Sequence, residues 1–163
     1  MTSRQKREAA ERARDLILSA MAAESLTGSE VGKRRGKSRQ SVSQLLRGWR
    51  RAPSLATIES VLVACGYRLY FWGIPLTANL PPIIPVPRQP MPERVYQLAA
   101  EARAANPRRG ELRKRLRQSG TSPGALGSVL RHSAAGASVR LDTLIATLSA
   151  CGYYLQLTAE RHG

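Results

Sequence analysis

Apolar residues recur along the chain with the spacing of amphipathic helices. Over residues 4–24, Leu16, Ile17, Ala20 and Met21 lie three or four positions apart, which places them on one side of a helix. Capping residues and glycines divide the next stretch into shorter helices. These helices are predicted from Thr27 to about Arg35 with Gly36 at the end, over 39–47 between Ser38 and Gly48, and from Ser54 to Cys65 with Gly66 at the end.

A different period follows in residues 67–74, where Tyr, Leu, Phe and Trp are spaced as in a β-strand. A single strand is not stable alone, so it needs a partner elsewhere in the chain. Residues 153–158 have the same character and supply the predicted partner. Pairing of these two strands would join the halves of the chain as a pseudo-dimer.

The chain contains an internal repeat. The string Ala64-Cys65-Gly66-Tyr67 recurs 86 residues later as Ala150-Cys151-Gly152-Tyr153, and the residues around it match at the same offset. The second copy therefore predicts the same order of elements, with helices near 93–105, 108–118, 122–131 and 140–151 before the strand 153–158.

Proline separates the two copies. Residues 73–92 hold seven of the ten prolines, which excludes a helix or a central strand there. An extended segment of this kind spans about 60 Å, more than the ~34 Å between successive major-groove faces of DNA. The predicted domains are residues 1–74, a proline-rich linker 75–92, and residues 93–163.

The charge of the chain indicates a polyanionic partner. Lys and Arg number 26 against 11 Asp and Glu, which gives a net charge of +15, and both halves are basic. Such a field attracts nucleic acid. No apolar run is long enough to cross a membrane, so a cytoplasmic, nucleoid-associated protein is expected.

Residue types for catalysis or metal binding are sparse. His132 and His162 have no Cys or carboxylate at metal-ligand spacing, and no phosphate-binding loop or nucleophile motif is present. Cys65 and Cys151 occupy equivalent repeat positions and are interpreted as small buried residues. No cofactor, metal or enzymatic activity is predicted.

Residues 26–48 carry the motif on which a functional prediction depends. They run from Leu26-Thr27 through Glu30-Val31, Gly36, Ser38 and Val42-Ser43 to Gly48. In this order and spacing they resemble the Cro/repressor-type (XRE) helix-turn-helix family of DNA-binding proteins. Gly36 suits the tight turn between two short helices, and Val42, Leu45 and Leu46 form one buried face of the second.

The resemblance implies a DNA-binding role for the opposite face of helix 39–47. Arg pairs with guanine and Gln with adenine in the major groove. The base-reading candidates are Ser38, Arg39, Gln40, Ser43 and Gln44. Flanking polar and basic residues suit the phosphates, namely Thr27, Lys33, Arg34, Lys37, Arg47, Arg50 and Arg51. Arg35 and Lys37 depart from the family because they stand at usually apolar positions.

The second copy keeps the core spacing of the motif but has fewer groups able to read bases. Leu126, Val129 and Leu130 form its buried face, whereas the exposed face holds Gly124, Ala125, Gly127 and Ser128. We interpret this copy as an anchor on phosphates or as a pairing partner for the first. Its phosphate-binding candidates are Arg113, Lys114, Arg117, Ser122, Ser128 and Arg131.

These patterns predict a mainly α protein with two tandem helix-turn-helix domains of the lambda-repressor type, each followed by a short strand. The predicted function is transcription regulation by binding specific double-stranded DNA, as a homodimer or as an intrachain pseudo-dimer. Two alternatives stay open: an antitoxin-type protein that binds DNA and a toxin partner, and an architectural or recombination-associated DNA binder of a mobile element.

Overall fold

The computed structural model describes residues 3–36, 39–47 and 52–162, without the side chains of residues 39–41 and 45. The first repeat comprises α1 (Ser3–Ala23), α2 (Gly28–Arg34), α3 (Arg39–Leu46), α4 (Leu55–Ala64) and β1 (Tyr67–Pro75). The second comprises α5 (Met91–Ala104), α6 (Arg109–Gln118), α7 (Ala125–Ala134), α8 (Leu141–Ala150) and β2 (Tyr153–Arg161).

The prediction of a mainly helical chain with a small two-stranded antiparallel sheet is confirmed. Most helix ends lie within two residues of those predicted. The exception is α7, which spans Ala125–Ala134 and not 122–131. It begins late because Ser122 turns back to accept a hydrogen bond from the Gly124 N–H. Ala125 is consequently buried, which corrects its assignment to the exposed face. The division into two helix-turn-helix domains stays a prediction.

The sheet relates the two repeats by a local two-fold axis. β1 and β2 run antiparallel over nine residues each, and Phe71 lies opposite Leu157, its own equivalent at the 86-residue offset. A second contact repeats this symmetry where α4 and α8 begin, because Ser54 faces its equivalent Arg140. There the Leu55 N–H donates to the carbonyl of residue 139 and the Leu141 N–H donates to that of residue 53, both at 3.0 Å.

Two equivalent arginines connect each repeat with the strand of the other. Arg94 of α5 donates to the Leu69 carbonyl of β1 at 2.8 Å, and Arg12 of α1 donates to the Leu155 carbonyl of β2. Each guanidinium also lies over an aromatic ring, Arg12 at 4.9 Å from the centre of Tyr154 and Arg94 at 5.1 Å from that of Phe71. The first helix of each repeat therefore packs on the other repeat's strand.

One hydrophobic core runs through both repeats. It includes matched residues of α4 and α8, since Ile58 and Leu144, and likewise Leu62 and Leu148, are fully buried. Burial of a large aliphatic side chain stabilises the fold by about 1.5–3 kcal/mol. Because these positions meet in a common core, the stability of one repeat depends on the other.

The proline-rich segment loops back onto the body of the protein. Gly73 and Ile83 form an antiparallel bridge through hydrogen bonds of 2.8 and 3.0 Å, and Ile83 is buried. The Tyr153 hydroxyl donates to the Pro81 carbonyl at 2.7 Å. Because of these contacts the segment is folded back on the protein. It therefore does not have the length expected of a fully extended linker. No helix within the described ranges is long and apolar enough to cross a membrane.

The buried ion pair between Arg94 and Glu59, 2.6 Å apart, generates a prediction about stability. Arg94→Ala should lower the free energy of unfolding by about 3 kcal/mol, because it leaves a half-buried carboxylate without its partner. Arg103→Ala, on the exposed side of the same helix, should change it by less than about 0.5 kcal/mol. Urea denaturation measures both, and equal losses would contradict a specific role for Arg94.

Candidate nucleic-acid interface

The start of α2 is organised by a capping box. The Thr27 hydroxyl accepts from the Glu30 N–H at 3.2 Å, and the Thr27 N–H donates to the Glu30 carboxylate at 3.2 Å. This backbone hydrogen bond, followed by that from the Thr27 hydroxyl, lowers the pKa of the Glu30 carboxyl, and Arg34 and Lys33 lower it further. Thr27 itself is exposed, so its position at the N-terminal end of α2 is compatible with a phosphate contact.

A tight turn and a small apolar contact set the angle between α2 and α3. Gly36 has φ of +65°, a left-handed conformation that glycine adopts without strain. Val31 of α2 and Val42 of α3 are fully buried, and α2 packs directly on α3. A Cβ on Gly28 would lie 3.7 Å from Val42, so the first turn of α2 rests on the middle of α3.

The base-reading candidates share one helix, α3, as far as the structure describes them. Gln44 is exposed and Ser43 is half-buried next to the core residue Val42. The backbone at positions 39 and 40 is helical, but the side chains of Arg39 and Gln40 lie outside the description, as does all of Ser38. Gln44 is thus the one base-reading candidate whose exposed side chain is described.

The phosphate candidates of the first repeat divide into free and bound groups. Lys33 and Arg47 are exposed and make no hydrogen bond or ion pair with another described residue. The Arg34 guanidinium instead donates to the Ala64 carbonyl at 3.0 Å, at the end of α4, where the helix dipole favours a cation. Lys37, Arg50 and Arg51 lie outside the described residues.

Arg35 shows how a basic residue occupies a position that the family pattern keeps apolar. Its Nε donates to the Ser60 hydroxyl of α4 at 3.1 Å, and burial lowers the pKa of its guanidinium. The aliphatic part of an arginine can cover apolar surface while its charged end stays solvated. Arg35 therefore joins α2 to α4 and is a structural residue.

A second basic surface lies on α6. Arg113, Lys114 and Arg117 are exposed there, while Leu112 and Leu116 face the core. Arg115 of the same helix is engaged in the fold: its guanidinium donates to the buried Asn106 amide oxygen at 2.7 Å. The Asn106 amide nitrogen in turn donates to the carbonyls of Ala102 and Cys151, each at 2.9 Å, so this network links α5, α6 and α8.

The contacts of α7 differ from those of its counterpart α3. α3 packs on α2, whereas α7 packs mainly along α5. Arg131 is exposed, and its side chain lies along the helix surface over Gly127. A Cβ on Gly127 would be 3.3 Å from the guanidinium. The half-buried Ser128 hydroxyl contacts His132 at 3.2 Å, and Ser122 lies in the turn before the helix. The second-repeat candidates thus lie on α6, in the turn that follows it and on α7.

Sequence reasoning missed the two arginines that join the repeats. The signal was present, because Glu11-Arg12 and Glu93-Arg94 form the same dipeptide at equivalent positions of α1 and α5. The prediction that both cysteines are small buried residues is confirmed. Burial raises the pKa of Cys151 to about 11, so this thiol stays protonated at neutral pH.

Comparison of the chain with protein-family models, curated proteins and solved structures finds no match. The resemblance to the Cro/repressor type is therefore carried by the residues of the motif alone.

The turn between α2 and α3 predicts opposite effects for two glycine substitutions. Gly36→Ala should destabilise the protein by about 1 kcal/mol, because alanine is strained at this positive φ although space is open around it. Gly110→Ala, at an open position inside α6, should stabilise it by about 0.5 kcal/mol. Thermal denaturation distinguishes the two, and a stabilising Gly36→Ala would contradict the turn geometry.

Proposed function

We propose that this protein is a DNA-binding regulator that recognises specific double-stranded sequences with α3. The observation that carries the proposal is the α2–α3 unit, a capped helix, a glycine turn and a second helix whose outer face is exposed at Gln44. This unit stands on a chain of net charge +15. A helix of this size fits the major groove, and the surrounding cations neutralise phosphates.

The two-fold relation between the repeats supports a particular arrangement of the DNA site. Antiparallel strands with Phe71 opposite Leu157 reverse the direction of one repeat relative to the other. Half-sites contacted by the two repeats would therefore be inverted and not tandem. The exposed cations of α6 favour phosphate contacts by the second repeat, which would define its half-site weakly.

Selection of bound duplexes from a random library tests this function, with the full-length chain at about 150 mM salt. We expect a strict half-site accompanied by a weaker one in inverted orientation. A motif with half-sites in direct orientation would contradict only the two-fold arrangement. Recovery of no motif, with binding that falls steeply with salt, would overturn sequence-specific regulation in favour of an architectural DNA binder.

Gln44 provides the sharpest test of the reading helix. Gln44→Ala should weaken binding to the selected site by about 1–3 kcal/mol and relax the preference at one base pair. Gln118→Ala, an exposed glutamine at the end of α6, is the matched control and should leave that preference unchanged. Fluorescence anisotropy with cognate and scrambled duplexes measures both variants. Equal losses on the two duplexes would contradict base reading by Gln44.

A further inference from the structure

An apolar groove on the second repeat carries an inference separate from DNA binding. It lies between the proline-rich segment, α5 and the end of α7, and has a volume of about 610 Å³. Tyr96 and Ala100 of α5, Val86 of the proline-rich segment and Ala134 of α7 supply its apolar surface. Tyr96 is 42% exposed and Val86 48%, so two large apolar side chains here are open to solvent.

The wall of the groove is held in place by backbone contacts. The Val86 N–H donates to the Gln97 side chain of α5 at 3.0 Å, and the Gln89 N–H donates to the Val86 carbonyl at 3.2 Å. The segment is thus fixed against α5 with Val86 directed toward solvent. A preformed apolar surface binds a partner at a lower entropic cost than one that must be ordered first.

The charges around the groove select the kind of partner. Glu93 and Glu101 line it, no Lys or Arg does, and neither carboxylate makes a hydrogen bond or ion pair with another described residue. They are eight positions apart in the helix, which places them about 12 Å apart along α5. On a chain with a net charge of +15, this surface is locally acidic and apolar.

From these observations we infer that the groove binds an amphipathic helix of a partner protein, with Lys or Arg at each end of an apolar stripe. Two cations seven or eight residues apart on that helix would match the spacing of Glu93 and Glu101. A second copy of this chain fits less well, because a symmetric contact through this face would bring the same carboxylates together. Elsewhere the net positive charge repels a basic helix, which gives the groove its selectivity.

A second acidic groove on α1 serves as an internal control. It contains Glu11 and Asp15, which are also exposed and unpaired within the described chain. However, it also contains Arg12, the residue that joins α1 to β2 and places a positive charge in the groove. A basic helix should therefore prefer the groove of α5.

The test begins with selection of random peptides of about 16 residues on the full-length chain, at about 150 mM salt. We expect enriched peptides with apolar residues three and four positions apart and with Lys or Arg seven or eight apart. Fluorescence anisotropy with the best peptide then compares two variants of equal charge change. Glu93→Lys with Glu101→Lys should weaken binding by at least about tenfold, and Glu11→Lys with Asp15→Lys by less than about twofold.

Tyr96→Asp should weaken binding of the same peptide at least as much as the Glu93 and Glu101 double variant does. If Tyr96→Asp fails to fold, the double variant still decides the test. Acidic enriched peptides, or no enrichment, would overturn the inference. A larger loss with the Glu11 and Asp15 double variant would overturn it in favour of the α1 groove. If the chain self-associates and Tyr96→Asp abolishes this self-association, the inference would be overturned, because the groove would then bind a second copy of the chain.

Discussion

The antiparallel pairing of β1 with β2 is the interaction on which the rest of the structure depends. Each strand satisfies the backbone hydrogen bonds of one edge on the other strand, and a two-stranded ribbon is only marginally stable without packing against helices. α4 and α8 supply that packing, and their first residues pair about the same axis as Phe71 and Leu157. The direction in which each repeat faces is thus set by the register of the strands.

Arginine has two separate roles in this molecule. Arg12, Arg94 and Arg115 donate to carbonyl or amide oxygens within the fold, as Arg34 does at the end of α4. These guanidinium groups are held in place by the fold, and Arg94 is also paired with Glu59, so the net charge overstates the number of cations that are free at the surface. Among the predicted phosphate-binding residues, the exposed cations without a partner in the described chain lie on or just after α2, α3, α6 and α7, namely Lys33, Arg47, Arg113, Lys114, Arg117 and Arg131. Other exposed cations, such as Arg7 and Arg14, lie on α1.

The two repeats are alike at matched core positions and differ in the surfaces that they present to solvent. Matched residues such as Leu62 and Leu148 are fully buried, because substitution there would disturb a core that both repeats share. Toward solvent, α3 packs on α2 while α7 lies along α5. This difference gives the second repeat an apolar groove beside Tyr96. The proposed roles, base reading for one repeat and partner binding for the other, follow that difference.

The sequence alone determined the order and the ends of nearly every helix, because capping residues, glycine turns and apolar periodicity are local signals. Thr27 and Gly36 show this, since both act at the helix ends where they were expected. The sequence also predicted that the two strands pair, because each repeat contains a single strand that is not stable without a partner. Only the tertiary structure decided which arginines are buried and where the proline-rich segment lies. Those outcomes depend on contacts between residues far apart in the chain, such as Arg94 with Leu69 and Gly73 with Ile83. The repeated Glu-Arg dipeptide marks Arg12 and Arg94 in the sequence, but a local pattern does not specify which distant residues they contact.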